Sequence, residues 1–314
     1  MQLLPECPIL ILAFNRPDLV EGSLNQLRAA GARNIWIAVD GPRQGNNRDR
    51  DAQEKIKALC KEAKLSNNKM YFAQSNLGCR KGVVAGISWF LGRVDAGIIL
   101  EDDIEVQSTY MEAMAILLKR FKNDRSISSI SSHFEFGDQK NDVQAKDSRI
   151  FRSPICRVWG WATWRDRWEQ HLTICGQLLS HRPLDCFFAL PKRYRTADAA
   201  LRLAACQAGE FDTWDYEWNF THLYLGACSL TPRGIYCLNH GFRTDATHTT
   251  EDAAPWRAFS TLPINTSLIK VQPLLAEVPG DLEQLMHQCG YPVTQAWAWE
   301  GLRLLKHELK QWLR

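Results

Sequence analysis

The chain has no CxxC pair, no internal repeat, no low-complexity tract and no apolar run near the ~20 residues that a bilayer crossing needs. A structural zinc site of paired cysteines and a membrane-spanning helix are therefore not expected. Neither sign of charge dominates. Thirty-eight Lys and Arg stand against 35 Asp and Glu, a formal charge of +3, too balanced to imply a nucleic-acid partner. The first apolar run, Pro8 to Phe14, lacks a basic flank and a small-residue cleavage site, so it reads as a strand and not as a signal peptide. With no export signal, the ten scattered cysteines are expected to be reduced thiols in a cytoplasmic protein. Also missing is a glycine-rich loop after this first run: Asn15-Arg16-Pro17-Asp18 stands there, with no glycine before Gly22. That argues against a sugar-1-phosphate nucleotidyltransferase, which needs such a loop to cradle phosphate.

What is present is a βαβ rhythm over the first third. Continuous apolar runs at Pro8–Phe14, Ile35–Val39, Tyr71–Ala73 and Gly97–Leu100 have the character of strands covered on both faces. Between them lie helical patterns from Leu19 to near Gly31, from about Ala52 to Ala63 and from Val83 to Leu91. Strands alternating with helices imply right-handed crossovers and a mostly parallel central sheet flanked by helices. Each run ends on polar residues: Asn15-Arg16, Asp40-Gly41, Asn76-Leu77-Gly78 and Glu101-Asp102-Asp103. In open α/β sheets ligands bind at the carboxyl edge of the strands, so these four segments are expected to line one site.

The middle of the chain is less regular. Helices are expected over Met111–Phe121, Lys192–Gln207 and Asp215–Tyr224, and extended chain over Ser148–Val158. Trp161, Trp164 and Trp168 fall at i, i+3 and i+7, as on one helix face. Asp281–Arg314 reads as a C-terminal helical extension broken at Gly290-Tyr291-Pro292. Its last part sets Trp299, Leu302, Leu305, Leu309 and Trp312 against Arg303, Lys306, Lys310 and Arg314. Such a basic amphipathic helix suits either docking on its own domain or peripheral contact with an anionic membrane. The boundaries expected are a catalytic region over 1–275, divided into a donor half (1–106) and an acceptor half (107–275), and an extension over 276–314.

Three consecutive carboxylates after an apolar strand repel one another, and a hard divalent cation, Mn²⁺ or Mg²⁺, relieves the repulsion. A solvated acidic turn is the plainer reading of such a cluster, and its place on the strand-end edge favours the cation. In extended geometry Glu101 and Asp103 would share one side and Asp102 the other. Asp40 is placed to hydrogen-bond a base or ribose hydroxyl. Asn76, Gly78, Arg80 and Lys81 open a helix, where backbone N–H groups and cationic side chains favour phosphate. A second acid comes from Trp214-Asp215-Tyr216-Glu217-Trp218, which offers both Asp215 and Glu217. Aromatic neighbours raise a carboxyl pKa toward a range useful to a general base. Trp159 and Trp161 offer flat apolar faces on which a ligand ring can stack, while packing in a core accounts better for the tryptophan cluster as a whole.

These segments, in order, resemble a family. Ala13-Phe14-Asn15-Arg16-Pro17, Asp40-Gly41-Pro42-Arg43, Asn76-Leu77-Gly78-Cys79, Ile99-Leu100-Glu101-Asp102-Asp103, Val158 to Trp164, Thr213-Trp214-Asp215-Tyr216 and Asp245-Ala246-Thr247-His248-Thr249 resemble the bacterial, haemolytic-protein-like group of GT-A glycosyltransferases. The chain is more distantly similar to the Golgi N-acetylglucosaminyltransferase of complex N-glycan synthesis, which shares a Glu-Asp-Asp motif and a tryptophan-flanked acid. The resemblance implies a GT-A fold and a metal-dependent, inverting transfer from a nucleoside-diphosphate sugar, most often a UDP-sugar, to a glycan or glycolipid hydroxyl. It implies Asp103 as direct metal ligand, with Glu101 and Asp102 near the ribose or metal waters. Phe14, Asn15 and Arg16 join the donor site, and His248 binds the metal or a phosphate oxygen. The bacterial pattern ranks Asp215 first as base; the Golgi pattern, whose base precedes a tryptophan, points as well to Glu217. Arg243 and Thr244 stand where the family carries a Gly-acid pair. The rival to an enzyme is a sugar-nucleotide-binding or membrane-active protein.

Overall fold

The computed structural model describes residues 2–133, 149–177, 182–195, 197–232, 234–241 and 269–274. The strands are β1 (Ile9–Ala13), β2 (Ile35–Val39), β3 (Met70–Phe72), β4 (Ala96–Glu101), β5 (Ile104–Val106), β6 (Ile127–Ser131), β7 (Arg149–Ser153), β8 (Trp161–Trp164), β9 (Cys228–Pro232), β10 (Cys237–Asn239) and β11 (Lys270–Leu274). Nine of them form one sheet in the order β11-β7-β9-β6-β8-β4-β1-β2-β3, and β5 pairs with β10 in a small second sheet. Five of the eight pairings in the large sheet are parallel, including all those among β1 to β4. The chain is thus an α/β protein with a mostly parallel central sheet, compatible with a Rossmann-like fold. Among the described residues, no helix is long and apolar enough to cross a membrane.

The period-two alternation of a strand divides the interior into two cores. Ile9, Ile11, Ile35, Ile37 and Val39 point to one face, where they meet Val20, Leu24 and Leu27 of the helix Pro17–Ala29. Ile56 of the helix Asn47–Glu62 and Met111 and Met114 of the helix Ser108–Arg120 belong to the same core. Leu10, Leu12, Trp36 and Ala38 point to the other face, against Ile87, Phe90 and Leu91 of the helix Gly78–Leu91. Each fully buried side chain of this kind contributes roughly 1.5–3 kcal/mol, which is why the runs are apolar without interruption. A third cluster joins the helices Pro183–Ala189, Ala197–Gln207 and Asp215–Leu225 through Phe187, Leu203, Phe220 and Leu223.

Several expected boundaries move. The second helix starts at Asn47, not Ala52, because Asn46 accepts the Asp49 N–H at 3.2 Å and caps the polar stretch that reads as loop. The third starts at Gly78, whose φ of +83° suits the turn into it. Lys192–Gln207 is a short 3₁₀ turn and a separate helix. Trp161 to Trp164 is an edge-to-edge bridge between β4 and β6, not part of a helix. Trp161 and Trp164 consequently face opposite cores. The C-terminal extension, 276–314, lies outside the described residues.

Candidate active site at the carboxyl edge of the sheet

The carboxyl ends of β1, β2 and β4 open into a cleft of about 650 Å³. Phe14, Asn15 and Arg16 line it after β1, Asp40 and Arg43 after β2, and Glu101, Asp102 and Asp103 at the end of β4. Asn76 and Gly78 close it before the third helix. Trp159, Trp214 and Asp215 enter from the second half of the chain, with Asn239 at the end of β10 and Gly241 just beyond it. Eleven of the sequence-predicted residues are thereby brought together: Phe14, Asn15, Arg16, Asp40, Asn76, Gly78, Glu101, Asp102, Asp103, Trp159 and Asp215. Four are not. Trp161, Arg80, Lys81 and Glu217 do not line the cleft. His248 lies outside the described residues.

The strand ends at Glu101, and Asp102 and Asp103 turn away from it. Strict alternation is lost, and both aspartates face the same arginine. Arg16 forks onto the Asp102 carboxylate and reaches Asp103 Oδ2 at 2.9 Å through Nη1. Main-chain bonds fix the turn: the Asp102 N–H donates to Leu12 O, and the His240 N–H to Asp103 O, at 2.9 and 2.8 Å. The second oxygen of Asp103, Oδ1, is buried and has no hydrogen-bond partner among the described residues. Burial, and then the charges of Asp103 and Asp102, push Glu101 up to about 8. Burial also raises Asp102, to about 7, against the opposing pull of Arg16. Among the described residues, six carboxylates line the cleft (Asp40, Glu101, Asp102, Asp103, Asp212 and Asp215) against two arginines, Arg16 and Arg43. Both arginines are already paired, Arg43 with Asp49 at 2.7 Å.

Asp40 organises the opposite wall. Its carboxylate accepts the N–H groups of Gly41 (2.8 Å) and Leu77 (3.0 Å) and the Asn76 side-chain amide (2.9 Å). It therefore holds the turn before the third helix, and burial raises its pKa in spite of these donors.

At the start of that helix the expected phosphate position is filled by the protein itself. Asp212 accepts the N–H groups of Cys79 and Arg80 at 2.9 and 3.0 Å. The Arg80 guanidinium turns away from the cleft onto Glu217, at 2.6 and 3.0 Å, and donates to Cys206 O at 2.9 Å. Gln207 completes the shell of Glu217. Glu217 is 4% exposed, and both of its oxygens are held by Arg80, with Gln207 on one of them. Lys81 is exposed. Trp161 is 1% exposed, packed 5.4 Å from Trp214 and 5.3 Å from Trp218, so it is core and cannot stack on a ligand.

Trp159 keeps its place on the cleft wall, backed by His133 at a centroid distance of 5.5 Å. Burial pulls His133 down to about 3, which leaves a neutral imidazole behind the indole. Asp215 begins its helix with a hydrogen bond from the Thr213 hydroxyl. It is near enough to Glu101 for its charge to raise that group further.

Sequence reasoning missed Asp212, Thr213, Arg43, Asn239 and Gly241. Asp212 and Thr213 directly precede the tryptophan-flanked acids, and that adjacency was the available signal. Nothing local marks Gly241, where an added Cβ would come within 2.2 Å of Asp103 Oδ2.

A hard divalent cation fits these residues. Among the described residues, no three His, Cys, Asp or Glu converge to cage one. The orphaned Asp103 oxygen and the surplus of carboxylates would give such an ion one anchoring ligand in an acidic cleft. Comparison with models of known protein families found no matching family, and comparison with curated proteins found no match.

Proposed function

We propose that this chain is a metal-dependent, inverting glycosyltransferase of the GT-A type that moves a sugar from a nucleoside-diphosphate sugar, a UDP-sugar in the first instance, to a hydroxyl of a glycan or glycolipid. The observation that carries this reading is the pairing in one cleft of Asp103, with a buried oxygen that no donor among the described residues meets, and Asp215, an acid from the other half of the chain. A diphosphate entering a cleft lined by six carboxylates needs a counter-cation, and Mn²⁺ or Mg²⁺ held by Asp103 would stabilise the departing diphosphate.

The chain's own residues perform the rest. Arg16 fixes Asp102 and Asp103 and offsets part of their mutual repulsion. Asp40 shapes the wall against which the nucleoside lies. Thr213 orients the Asp215 carboxylate, which takes the proton from the acceptor hydroxyl as that oxygen attacks the sugar carbon from the face opposite the diphosphate. Trp159 offers a flat apolar wall to the acceptor sugar.

The test is a panel of nucleoside-diphosphate sugars in thermal shift with Mn²⁺, since a ligand that binds only the folded state raises its melting temperature. A metal-dependent shift with a UDP-sugar is the expected result, followed by UDP release when a sugar acceptor is added. No shift with any nucleotide, with or without metal, overturns the proposal.

A further inference from the structure

We infer that Arg80 is a positioning residue for Asp215, a latch by which the strand-end half of the site sets the acid of the other half. This rests on the proposed role of Asp215. Arg80 grips the segment that carries Asp215 at two points. Its backbone N–H, together with that of Cys79, binds Asp212, three residues before Asp215. Its guanidinium forks onto both oxygens of Glu217, two residues after Asp215. Trp214, which lies between the two anchors in sequence, is buried against Trp161.

The chemistry of the fork separates placement from mere packing. A bidentate arginine–carboxylate pair fixes angle as well as distance. A buried ion pair is nevertheless a poor way to gain stability, because apolar residues of similar volume usually serve as well or better. Here the pair spans 137 residues of sequence and ends beside the proposed base. The other end of the latch also lies in the site. Arg80 is in the first turn of the helix Gly78–Leu91, and the turn before that helix is held by Asp40 through Leu77 and Asn76. A path of hydrogen bonds and main chain therefore runs from Asp40 to the acid: Asp40, the 76–78 turn, Arg80, then Asp212 and Glu217 on either side of Asp215.

The experiment compares wild type with Arg80→Lys and with the double variant Arg80→Met/Glu217→Leu, which removes the fork without leaving a buried charge unpaired. Melting temperature, the Kd for UDP with Mn²⁺, kcat and amide exchange over 208–218 are measured on the full chain. In the double variant the melting temperature should stay within about 4 °C of wild type, the change that ~1 kcal/mol produces. The Kd should stay within about twofold, while kcat falls roughly 10–100-fold, as an ångström of misplacement costs. Arg80→Lys should recover part of that kcat. Exchange over 208–218 should accelerate while that over 9–39 does not change. A wild-type kcat in the double variant, or a kcat that only follows melting temperature across the series, overturns the inference. If no donor turns over even in wild type, the proposed function fails by itself, and the exchange decides the latch: acceleration confined to 208–218 supports it, and unchanged exchange overturns it.

Discussion

Asp49 gives the sharpest test of how the cleft is held open. It is 1% exposed, and its carboxylate ties together two loops that line the site. It accepts from Asn15 Nδ2 at 2.9 Å, and from the Arg43 backbone N–H, Nε and Nη2 at 3.1, 2.7 and 2.8 Å. Asp49→Asn preserves the volume, removes the charge and turns an acceptor into a donor facing donors. Hydrogen bonds to a charged group contribute ~1.5–3 kcal/mol each. The Arg43 side chain is 55% exposed, so solvent screens its share toward the ~1 kcal/mol of a surface pair. With the Asn15 bond added, the loss is about 2 kcal/mol, or roughly 3 °C in melting temperature for a chain of this length. The sign with pH is fixed. Hydrogen bonding to Arg43 holds the Asp49 carboxyl well below the usual range, so its stabilisation is complete above the unfolded value of ~4 and is lost as pH falls below it. Scanning calorimetry of both proteins should show the full gap at pH 7 and pH 5 and a narrowing gap below pH 4. A gap absent at pH 7, or undiminished at the lowest pH where both proteins fold, refutes the reasoning.

Asp215→Asn should lower kcat by about 10²–10⁴-fold while UDP binding measured calorimetrically stays near wild type; normal turnover would remove Asp215 from the mechanism. Gly241→Ala drives a methyl group to within 2.2 Å of Asp103 Oδ2, so it should weaken Mn²⁺-dependent nucleotide binding by tenfold or more, with the far loops unchanged in amide exchange. Full affinity in that variant would show that Asp103 does not anchor the cation. Glu101 and Asp102 are raised from 4.5 and 3.8 to about 8 and 7, so they retain protons that the unfolded chain releases, and the stability so gained below pH ~4 is lost as pH rises toward 8. A cation favours the ionised carboxylates, so the melting-temperature rise given by Mn²⁺ should grow from pH 6 to pH 8; a rise independent of pH contradicts these assignments.

The strand-end edge was legible because a strand buried on both faces leaves an uninterrupted apolar run, and such runs stop where the chain meets solvent. That rule places Asn15, Asp40, Asn76 and Glu101 on one rim from the sequence alone, and all four line the cleft. It failed at Trp161–Trp164, where tryptophans three residues apart fit a helical stripe and also the two faces of a strand lying between two cores. Pairing with β4 and β6, set by residues far away in sequence, decided for the strand. Helix starts were misplaced where polar side chains make the first turn, as with Asn46. The roles of Arg80 and Glu217 were illegible for a different reason. Each is the right residue type for phosphate or proton chemistry, and only their approach across 137 residues shows that they consume one another's charge. Asp212 likewise fills a helix start that looks open to phosphate from local sequence.

The central claim is that Asp103 anchors a cation through which this cleft accepts a nucleoside diphosphate. Calorimetric titration of UDP into wild type and Asp103→Ala, each with Mn²⁺ and with the metal chelated, tests it most directly. The account predicts binding to wild type only with Mn²⁺, and none to Asp103→Ala under either condition. Equal affinity with the metal chelated, or undiminished Mn²⁺-dependent binding by Asp103→Ala, would contradict it.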